Sequence, residues 1–326
     1  MPTNQTEIVY IECADCGSEF NQDNAFRVPH GRICEDCYNY NYFVCDSCGN
    51  EYHNDDYGED GECVRCFDRH NEEIQDGSFA PVFQFHKEPW ENTLYQGIEL
   101  EIEVPEDRSP VSHATNFKAW LEKNGIDKFL YLKGDGSLNN GYEIVSHPFT
   151  SRARHKLMDW HKVLKYLANT GAKANGGTCG MHVHVSRKDL TDKQIAKVKG
   201  FFSTNRAYIS RLAGREANTY CAYELFGLDR QKQRTIRNAG GSRYYAVNLN
   251  ETHNKRDTVE FRIFKGTLNF LLFMGRLQFT EAICEFVKVH GVGCIYGPKS
   301  WQEFKAWAAR NGRYGKMIKL MQKVGV

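Results

Sequence analysis

The chain has 326 residues, of which 41% are hydrophobic and 25% are charged, an ordinary composition for a globular protein of two or three domains. No stretch approaches roughly 18 uninterrupted apolar residues, which predicts no transmembrane helix. The N-terminus lacks the basic-then-apolar layout of a signal peptide. We therefore expect a cytoplasmic protein with no membrane partner.

Charge is distributed unevenly along the chain. Residues 1–75 contain 17 Asp and Glu against 4 Lys and Arg, whereas the remainder contains 24 against 38. The acidic N-terminal part argues against binding to the negative backbone of a nucleic acid. The basic remainder is expected to attract an anionic ligand such as a nucleotide.

Eight of the twelve cysteines lie in four CxxC pairs before residue 67. A CxxC turn brings two thiolates to one ion, so the spacing predicts two structural Zn²⁺ sites with four thiolates each. A disulfide framework is the alternative, and the absence of secretory features disfavours it. The predicted ligands are Cys13, Cys16, Cys34, Cys37, Cys45, Cys48, Cys63 and Cys66.

An internal repeat indicates how these cysteines pair. The sequence IECADCGSEFNQD at residues 11–23 returns as FVCDSCGNEYHND at residues 43–55. The repeat favours two sequential zinc ribbons, residues 1–40 and 41–70, over a cross-braced arrangement in which alternate pairs share an ion. Because both modules are poor in apolar residues, Zn²⁺ must supply most of their folding free energy. Protein binding or substrate docking is the favoured role, and a purely structural appendage is the alternative.

Residues 71–92 are predicted to form a linker, and residues 93–326 a second domain in which strands and helices alternate irregularly. That irregularity predicts an α+β fold, a sheet backed by helices. Gly125 is expected to end the first helix, and Thr191 with Gln194 and Ser300 with Glu303 form capping-box patterns. The predicted strands are Gln96–Val104, Tyr142–Ser146, Met181–Ser186, Tyr244–Asn250 and Thr258–Phe264. The predicted helices are 111–124, 151–169, 191–213, 267–290 and 301–311.

Three of these strands are apolar on one face and polar on the other, because successive side chains of a strand point to opposite sides. Residues 97–104 place alternate glutamates on one face, residues 180–186 two histidines, and residues 259–264 a glutamate and an arginine. Several carboxylates that converge with a histidine cannot stay ionised together without cations. The pattern therefore predicts bound metal.

Four segments in this order resemble the amidoligase branch of the glutamine synthetase-like carboxylate–amine ligases. The resemblance spans roughly residues 93–290 and implies a glutamine synthetase-like antiparallel sheet backed by helices. It also implies that ATP phosphorylates a carboxylate and that an amine attacks the resulting acyl phosphate. The segments are YQGIELE at 95–101, KGDGSLNNGYEIVSHP at 133–148, NGGTCGMHVHVS at 175–186 and TVEFRIFKGTL at 258–268.

The resemblance implies a two-metal site. One ion, nearest the ATP phosphates, would be held by Glu99, His182 and Glu260. A second ion, nearer the acceptor carboxylate, would be held by Glu101 and Glu143. Carboxylate-rich sites with one imidazole prefer Mg²⁺ or Mn²⁺ over zinc.

Further residues would contact the phosphates and the substrates. Arg262 would contact the transferring phosphoryl group, since its planar fork matches phosphate oxygens, and Arg243 is a second candidate. Asp135 would bind the attacking amine or act as its base, or else be an ordinary turn aspartate. His184 would bind nucleotide or substrate, or else form a hydrogen bond in the core. Backbone N–H groups would approach phosphate closely at three glycines, Gly176, Gly177 and Gly180.

Two other functions are compatible with the sequence. One is a non-catalytic zinc-ribbon adaptor with a degenerate ligase-like domain, and the other is a zinc hydrolase built on the HVH segment. Glu103 either continues the row of glutamates or reaches solvent, and Cys179 is expected to pack beside a glycine turn rather than act as a nucleophile. The sequence names neither the carboxylate nor the amine, although the ribbons favour a peptide or protein substrate.

Overall fold

The computed structural model describes residues 9–28, 30–46, 48–58, 61–64, 72–79, 81–89, 94–216, 221–223, 245–249 and 258–326. Its internal contacts divide the chain into two compact units, Met1–Glu72 and Glu73–Val326. Within these described ranges, every helix is too short or too polar to cross a membrane.

The first unit consists of short hairpins and one helix. Among its described residues, the buried apolar side chains are Ile33 and three cysteines, so thiols occupy the place of a hydrophobic core. The strands pair β1 with β2, β3 with β4 and β5 with β6, all antiparallel. The elements are β1 Tyr10–Glu12, β2 Glu19–Asn21, β3 Phe26–Val28, β4 Gly31–Ile33, α1 Glu35–Asn41, β5 Tyr42–Val44 and β6 Glu51–His53.

The cysteines of this unit form two separate clusters. In each cluster the Sγ atoms lie within 4.8 Å of one another, as one tetrahedral ion requires. The sequential pairing predicted from the repeat therefore agrees with the geometry, and the cross-braced alternative does not. Cys66, the predicted fourth ligand of the second cluster, lies outside the described residues. The clusters are Cys13, Cys16, Cys34 and Cys37, and Cys45, Cys48 and Cys63.

The two clusters repeat one backbone contact. The N–H of Cys34 donates to Sγ of Cys13 at 3.3 Å, and the N–H of Cys63 donates to Sγ of Cys45 at 3.3 Å. Against the effect of burial, such backbone donors lower the pKa of the Cys13 thiol to about 6. The first module thus stabilises the thiolate form of Cys13, the form that a zinc ion binds.

A six-stranded antiparallel sheet forms the centre of the second unit. Its strand order is β11-β12-β10-β7-β9-β8, so strands distant in sequence lie side by side. This sheet and the helices behind it confirm the predicted fold class. The strands are β7 Gln96–Glu103, β8 Leu130–Lys133, β9 Gly141–Ser146, β10 Gly180–Ser186, β11 Val247–Asn248 and β12 Thr258–Lys265.

Two strands differ from the sequence prediction. β8 was not predicted, because an alternation over only four residues, LYLK, is too short to indicate a strand. The strand predicted over Tyr244–Asn250 is limited to Val247–Asn248 in the described part of the chain, and both ends of the prediction lie outside that part.

Nine α-helices accompany the sheet in the described residues. The predicted helices 151–169 and 191–213 are each divided in two, and the helices at 292–296 and 315–324 were not predicted. The helices are α2 Pro110–Lys123, α3 Ser151–Leu157, α4 Trp160–Asn169, α5 Asp192–Thr204, α6 Arg206–Ala213, α7 Phe270–Val289, α8 Val292–Tyr296, α9 Ser300–Arg310 and α10 Gly315–Val324.

Side chains that bond to backbone explain the helix boundaries. Asp159 accepts from the N–H of Lys162 at 3.2 Å and so starts α4. The capping box of Thr191 and Gln194 is confirmed, as is the C-terminal stop at Gly125, whose φ is +65°. The box predicted at Ser300 is wrong, because Ser300 is buried inside α9 and its Oγ donates to Asn205 at 3.1 Å.

The apolar face of the sheet packs against helices and forms the core. Phe261 of β12 contacts the ring of Phe202 in α5 at a centroid distance of 5.5 Å, and Phe202 contacts Phe279 of α7 at 5.8 Å. Burial of each such ring contributes about 1.5–3 kcal/mol to the free energy of folding. Because the helices cover this face, the polar residues of the same strands lie on the opposite face.

The segment before β7 packs against the sheet. Gln75 donates its N–H to the carbonyl of Leu132 at 2.8 Å and accepts from the N–H of Gly134 at 2.9 Å, which extends the sheet beyond β8. His86 donates to the carbonyl of Pro148 at 2.9 Å. Residues 73–79 and 81–89, within the region that the sequence suggested was a linker, thus form part of the second unit.

Candidate active site

The register of four strands brings the predicted polar residues to one face of the sheet. Glu99 of β7 lies opposite His182 of β10, and Glu260 of β12 lies opposite His184. On the other side of β7, Glu101 pairs with Glu143 of β9. Residues from four separate motifs thus converge on one face of the sheet, on both sides of β7.

Two imidazoles and two carboxylates form the centre of this group. Oε2 of Glu99 lies 3.3 Å from Nδ1 of His182 and 3.2 Å from Nε2 of His184. Oε1 of Glu260 lies 3.8 Å from His182 and 3.9 Å from His184. All four side chains are buried. A buried group this dense in carboxylates requires compensating positive charge.

Three sets of side chains have ligand atoms within 4.8 Å of one another, close enough for one ion each. Carboxylate oxygens dominate the sets and at most one imidazole joins each, which is the donor chemistry of Mg²⁺ or Mn²⁺. The residues therefore fit the divalent ions that the sequence implied. The sets are Glu99, His184 and Glu260; Glu99, Glu143 and His182; and Glu101, Asp135 and Glu143.

These sets contain all five predicted ligands but group them differently. His184, expected to contact the nucleotide or substrate, has its ring nitrogen in the set with Glu99 and Glu260. Asp135, expected to contact the amine, joins Glu101 and Glu143. Both side chains thus have ligand geometry that sequence reasoning did not assign to them.

Burial and neighbouring charges shift the pKa values of these carboxyl groups in opposite directions. Burial would raise the pKa of Glu99, but the adjacent imidazoles, His184 first, hold it well below its usual range. Burial and the charge of Glu99 raise the pKa of Glu143 well above its usual range, and Lys133 only partly opposes them. Two adjacent carboxyl groups that favour different protonation states are expected where a cation is needed to ionise both.

Arg262 lies at the edge of the group on β12. Its Nη1 donates to Oε1 of Glu260 at 2.5 Å, and Asn248 donates to the other oxygen of Glu260 at 3.0 Å. Its Nε is buried and has no hydrogen-bond partner among the described residues. Arg262 therefore has donor capacity left for a ligand oxygen. Arg243, the second predicted arginine, lies outside the described residues.

Gly180 is required by the packing of the ligands. Its N–H donates to Oε2 of Glu101. A Cβ at this position would lie 3.0 Å from Nε2 of His182 and 3.2 Å from Oε2 of Glu101. Gly176 and Gly177 lie in the preceding loop, where a Cβ on Gly177 would meet only open space. The predicted approach of these three glycines to phosphate stays a prediction.

Glu103 connects two loops beside the site. Its Oε1 accepts from Oγ1 of Thr178 at 2.7 Å and from the N–H of Asn139 at 3.4 Å. The first loop contains the predicted glycines, and the second contains Asp135. The neighbouring Cys179 is buried, and burial raises the pKa of its thiol to about 11, which fits packing rather than nucleophilic chemistry.

An aromatic cavity of about 270 Å³ opens on the same face of the sheet and reaches Glu99 and His184. Phe83 and Phe85 form part of its wall, and Nζ of Lys188 lies 5.6 Å from the ring centroid of Phe85. Phe85 is 54% exposed, which is unusual for a large apolar side chain. Sequence reasoning missed this cavity, because the segment that supplies its wall was interpreted as a linker.

No curated protein matches this chain. Residues 107–225 match the model of a family described as "putative amidoligase enzyme". That range contains Asp135, Glu143, His182 and His184, and the sheet adds the glutamates of β7 and β12 to them. The match confirms the resemblance predicted from the motifs and is consistent with a ligase function: residues 107–225 of the chain are similar to the amidoligase family.

Proposed function

We propose that the protein is an ATP-dependent ligase that joins a carboxylate to an amine through an acyl-phosphate intermediate. The observation that carries the proposal is the convergence of five carboxylates and two imidazoles on one sheet face, beside an aromatic cavity. The amidoligase match over residues 107–225 gives independent support. Chance surface charges would not be buried together in this way.

Two divalent ions, Mg²⁺ or Mn²⁺, are proposed in the three overlapping sets of ligands. Glu99, His184 and Glu260, supported by His182, would hold the ion nearer the cavity, and Glu101, Asp135 and Glu143 the other. Such ions neutralise the nucleotide phosphates and align an in-line phosphoryl transfer.

The aromatic cavity is proposed to bind the base of the nucleotide. Its rings offer stacking surfaces, and its floor reaches Glu99 and His184, so a bound nucleotide would extend its phosphates toward the proposed ions. Lys188 at the cavity wall would add a cation near the α-phosphate. A base and its phosphates would then occupy one continuous groove on the polar face.

The proposed reaction has two steps on the polar face. An oxygen of the acceptor carboxylate attacks the γ-phosphorus, the bond to the β–γ bridging oxygen breaks, and ADP leaves. Arg262 binds the transferring phosphoryl oxygens with the donors that Glu260 does not occupy. The amine then attacks the acyl carbon, the C–N bond forms, phosphate leaves and the proton of the amine passes to solvent, while the carboxylate oxygen of Asp135 that does not hold the ion orients the amine.

A peptide or protein is the proposed class of at least one substrate. The first unit is strongly acidic and holds two cysteine clusters beside short hairpins. A small molecule would need no such module, whereas a basic polypeptide would be attracted to it.

The test is ADP release from purified protein with Mg²⁺, a carboxylate and an amine, with the products identified by mass spectrometry. Panels of amino acids and peptides supply the two substrates. We expect release to require all components and to disappear in Glu260→Gln, whereas Glu122→Gln, on the exposed face of α2, retains it.

Other outcomes would support other functions. Wild-type turnover in Glu260→Gln would refute the assignment. Failure of the protein to bind Mg²⁺–ATP, together with tight binding of a protein partner, would support the adaptor. A third equivalent of zinc in purified protein would support the hydrolase.

A further inference from the structure

Lys133 is a buried lysine on the polar face that the proposed mechanism does not use. It lies at the end of β8 and is 6% exposed. The register places it opposite Glu143, which in turn lies opposite Glu101. Lys133 is therefore the outermost member of a row that contains two of the proposed metal ligands.

The ammonium of Lys133 makes no direct contact with the carboxylates beside it. In the part of the chain that the structure describes, no hydrogen bond or ion pair involves its Nζ. The charge of Lys133 acts only at longer range, where it partly opposes the rise in the pKa of Glu143. The stem of Lys133 is buried, but Nζ is not among the polar atoms that are both fully buried and without a partner, so the ammonium reaches solvent on the polar face. Arg262, at the opposite edge of the group, is by contrast paired with Glu260.

A role as counter-ion of the carboxylates does not explain why a lysine lies at this position. A fixed positive charge beside Glu101 and Glu143 competes with a divalent ion for the same carboxylates and so opposes metal binding. The charge becomes favourable only when an anionic group is bound beside the metal. A cation on a largely buried side chain, without a direct contact and next to a metal site, is thus suited to an anionic ligand oxygen.

The backbone holds Lys133 in place from two sides. β9 pairs with it on one side, and on the other the segment at Gln75 bonds to Leu132 and Gly134, the residues that flank it. Asp135 follows two residues later and belongs to the same set of ligands as Glu101 and Glu143. The ammonium is therefore attached to a rigid strand beside the proposed second ion.

We propose that Lys133 is a catalytic residue whose ammonium binds an anionic oxygen at the position where the acyl phosphate forms. This inference rests on the proposed ligase function. The oxygen belongs either to the acceptor carboxylate or to the transferring phosphoryl group, two sources that share the same chemistry. In both cases Lys133 binds the reacting group from the β8 side of the ligands and Arg262 from the β12 side.

The test compares Lys133→Met with Lys165→Met, an exposed lysine of α4 that serves as the matched control. Isothermal titration calorimetry measures binding of Mn²⁺ alone, of Mg²⁺–ADP, and of inorganic phosphate to the Mg²⁺–ADP complex. If the oxygen is phosphoryl, Lys133→Met weakens phosphate binding at least about tenfold, the loss of one charge-assisted hydrogen bond. Mn²⁺ binding stays unchanged or tightens, and the control behaves like wild type.

A second measurement distinguishes whether the oxygen bound by Lys133 belongs to the acceptor carboxylate or to the phosphoryl group. With the carboxylate identified by product analysis, the KM for that carboxylate rises about tenfold or more if its oxygen is the partner, while the KM for ATP and the affinity for phosphate are unchanged. Lys133→Arg retains the charge and recovers part of either loss.

The inference is overturned if Lys133→Met alters neither the affinity for phosphate nor the KM for the carboxylate by more than about twofold. It is also overturned if Mn²⁺ binding weakens tenfold, which would indicate a structural role. Lys133→Gln replaces the methionine variant if that variant does not fold. Wild-type protein that binds no Mg²⁺–ADP would refute the ligase proposal and this inference together, whereas normal wild-type binding with an unaffected variant refutes only the role of Lys133.

Discussion

The carboxylate of Glu99 lies 3.3 Å from Nδ1 of His182, across the pairing of β7 with β10. The two residues are 83 positions apart in sequence, and only His182 lies in the range that matches the amidoligase family. The contact shows that the candidate site is formed by the sheet as a whole rather than by one motif. Several consequences can be measured without knowledge of the substrates.

Glu99 belongs to two of the three sets of ligands, so its charge should matter most for metal binding. Glu99→Gln retains the size of the side chain and removes the charge. We expect Mn²⁺ affinity to fall by at least about tenfold, which calorimetry or electron paramagnetic resonance measures. Glu122→Gln is the control, and equal Mn²⁺ affinity in the two variants would contradict the assignment.

The alternation of polar and apolar residues was sufficient to predict the polar face, and the resemblance to a known family indicated the five carboxylate and imidazole side chains that lie together there. The grouping of those side chains could not be predicted, because it depends on the register of β10 against β12, which shifts between Met181 and Val183 and sets His184 opposite Glu260. Lys133 was missed because β8 is too short to show a pattern. The aromatic wall was missed because a segment without regular structure gives no sign of what it packs against.

Glu103 is expected to act through the two loops that it connects rather than as a metal ligand. Glu103→Ala removes the acceptor for Thr178 and Asn139, whereas Glu103→Gln retains an acceptor oxygen. We expect Glu103→Ala to lower Mg²⁺–ATP affinity by about tenfold and Glu103→Gln to cause a much smaller loss. Thr178→Val should resemble Glu103→Ala, and the two losses should not add in the double variant. If Glu103→Ala and Glu103→Gln lose the same Mg²⁺–ATP affinity and Thr178→Val loses none, Glu103 is a metal ligand instead.

Gly266 should be intolerant of any side chain. A Cβ there would lie 2.1 Å from the carbonyl oxygen of Ala174, and backbone cannot move aside as a flexible side chain can. We expect Gly266→Ala to lower the free energy of unfolding by about 1–3 kcal/mol, measured by urea denaturation. Gly177→Ala is the matched control, because the added Cβ meets open space there and φ is not positive. A stable Gly266→Ala protein would show that the loop before β10 is not fixed against β12.

Removal of zinc should unfold the first unit and leave the second intact. Thiols occupy most of the buried apolar positions in the described residues of the first unit, so metal ligation must replace hydrophobic burial there. We expect Cys13→Ser and Cys45→Ser each to lose one equivalent of zinc, measured by elemental analysis. Cys284→Ser, a buried cysteine of α7 outside both clusters, should retain both equivalents. The double variant Cys13→Ser/Cys45→Ser should lose both equivalents, and loss of only one in the double variant would contradict sequential ligation.

Phe85 provides the sharpest test of the aromatic cavity. It is 54% exposed at the cavity wall, so its replacement by alanine should affect the fold little and remove one stacking surface. We expect Phe85→Ala to weaken binding of Mg²⁺–ATP by about 5- to 100-fold, the range of a lost ring–base contact, and to leave Mn²⁺ binding unchanged.

Inorganic triphosphate, which has no base, should bind the variant and the wild type equally. Val82→Ala is the control, since Val82 is 79% exposed and does not line the cavity. If triphosphate binding falls as much as ATP binding, the cavity holds phosphate or another group, and the base must bind elsewhere on the polar face.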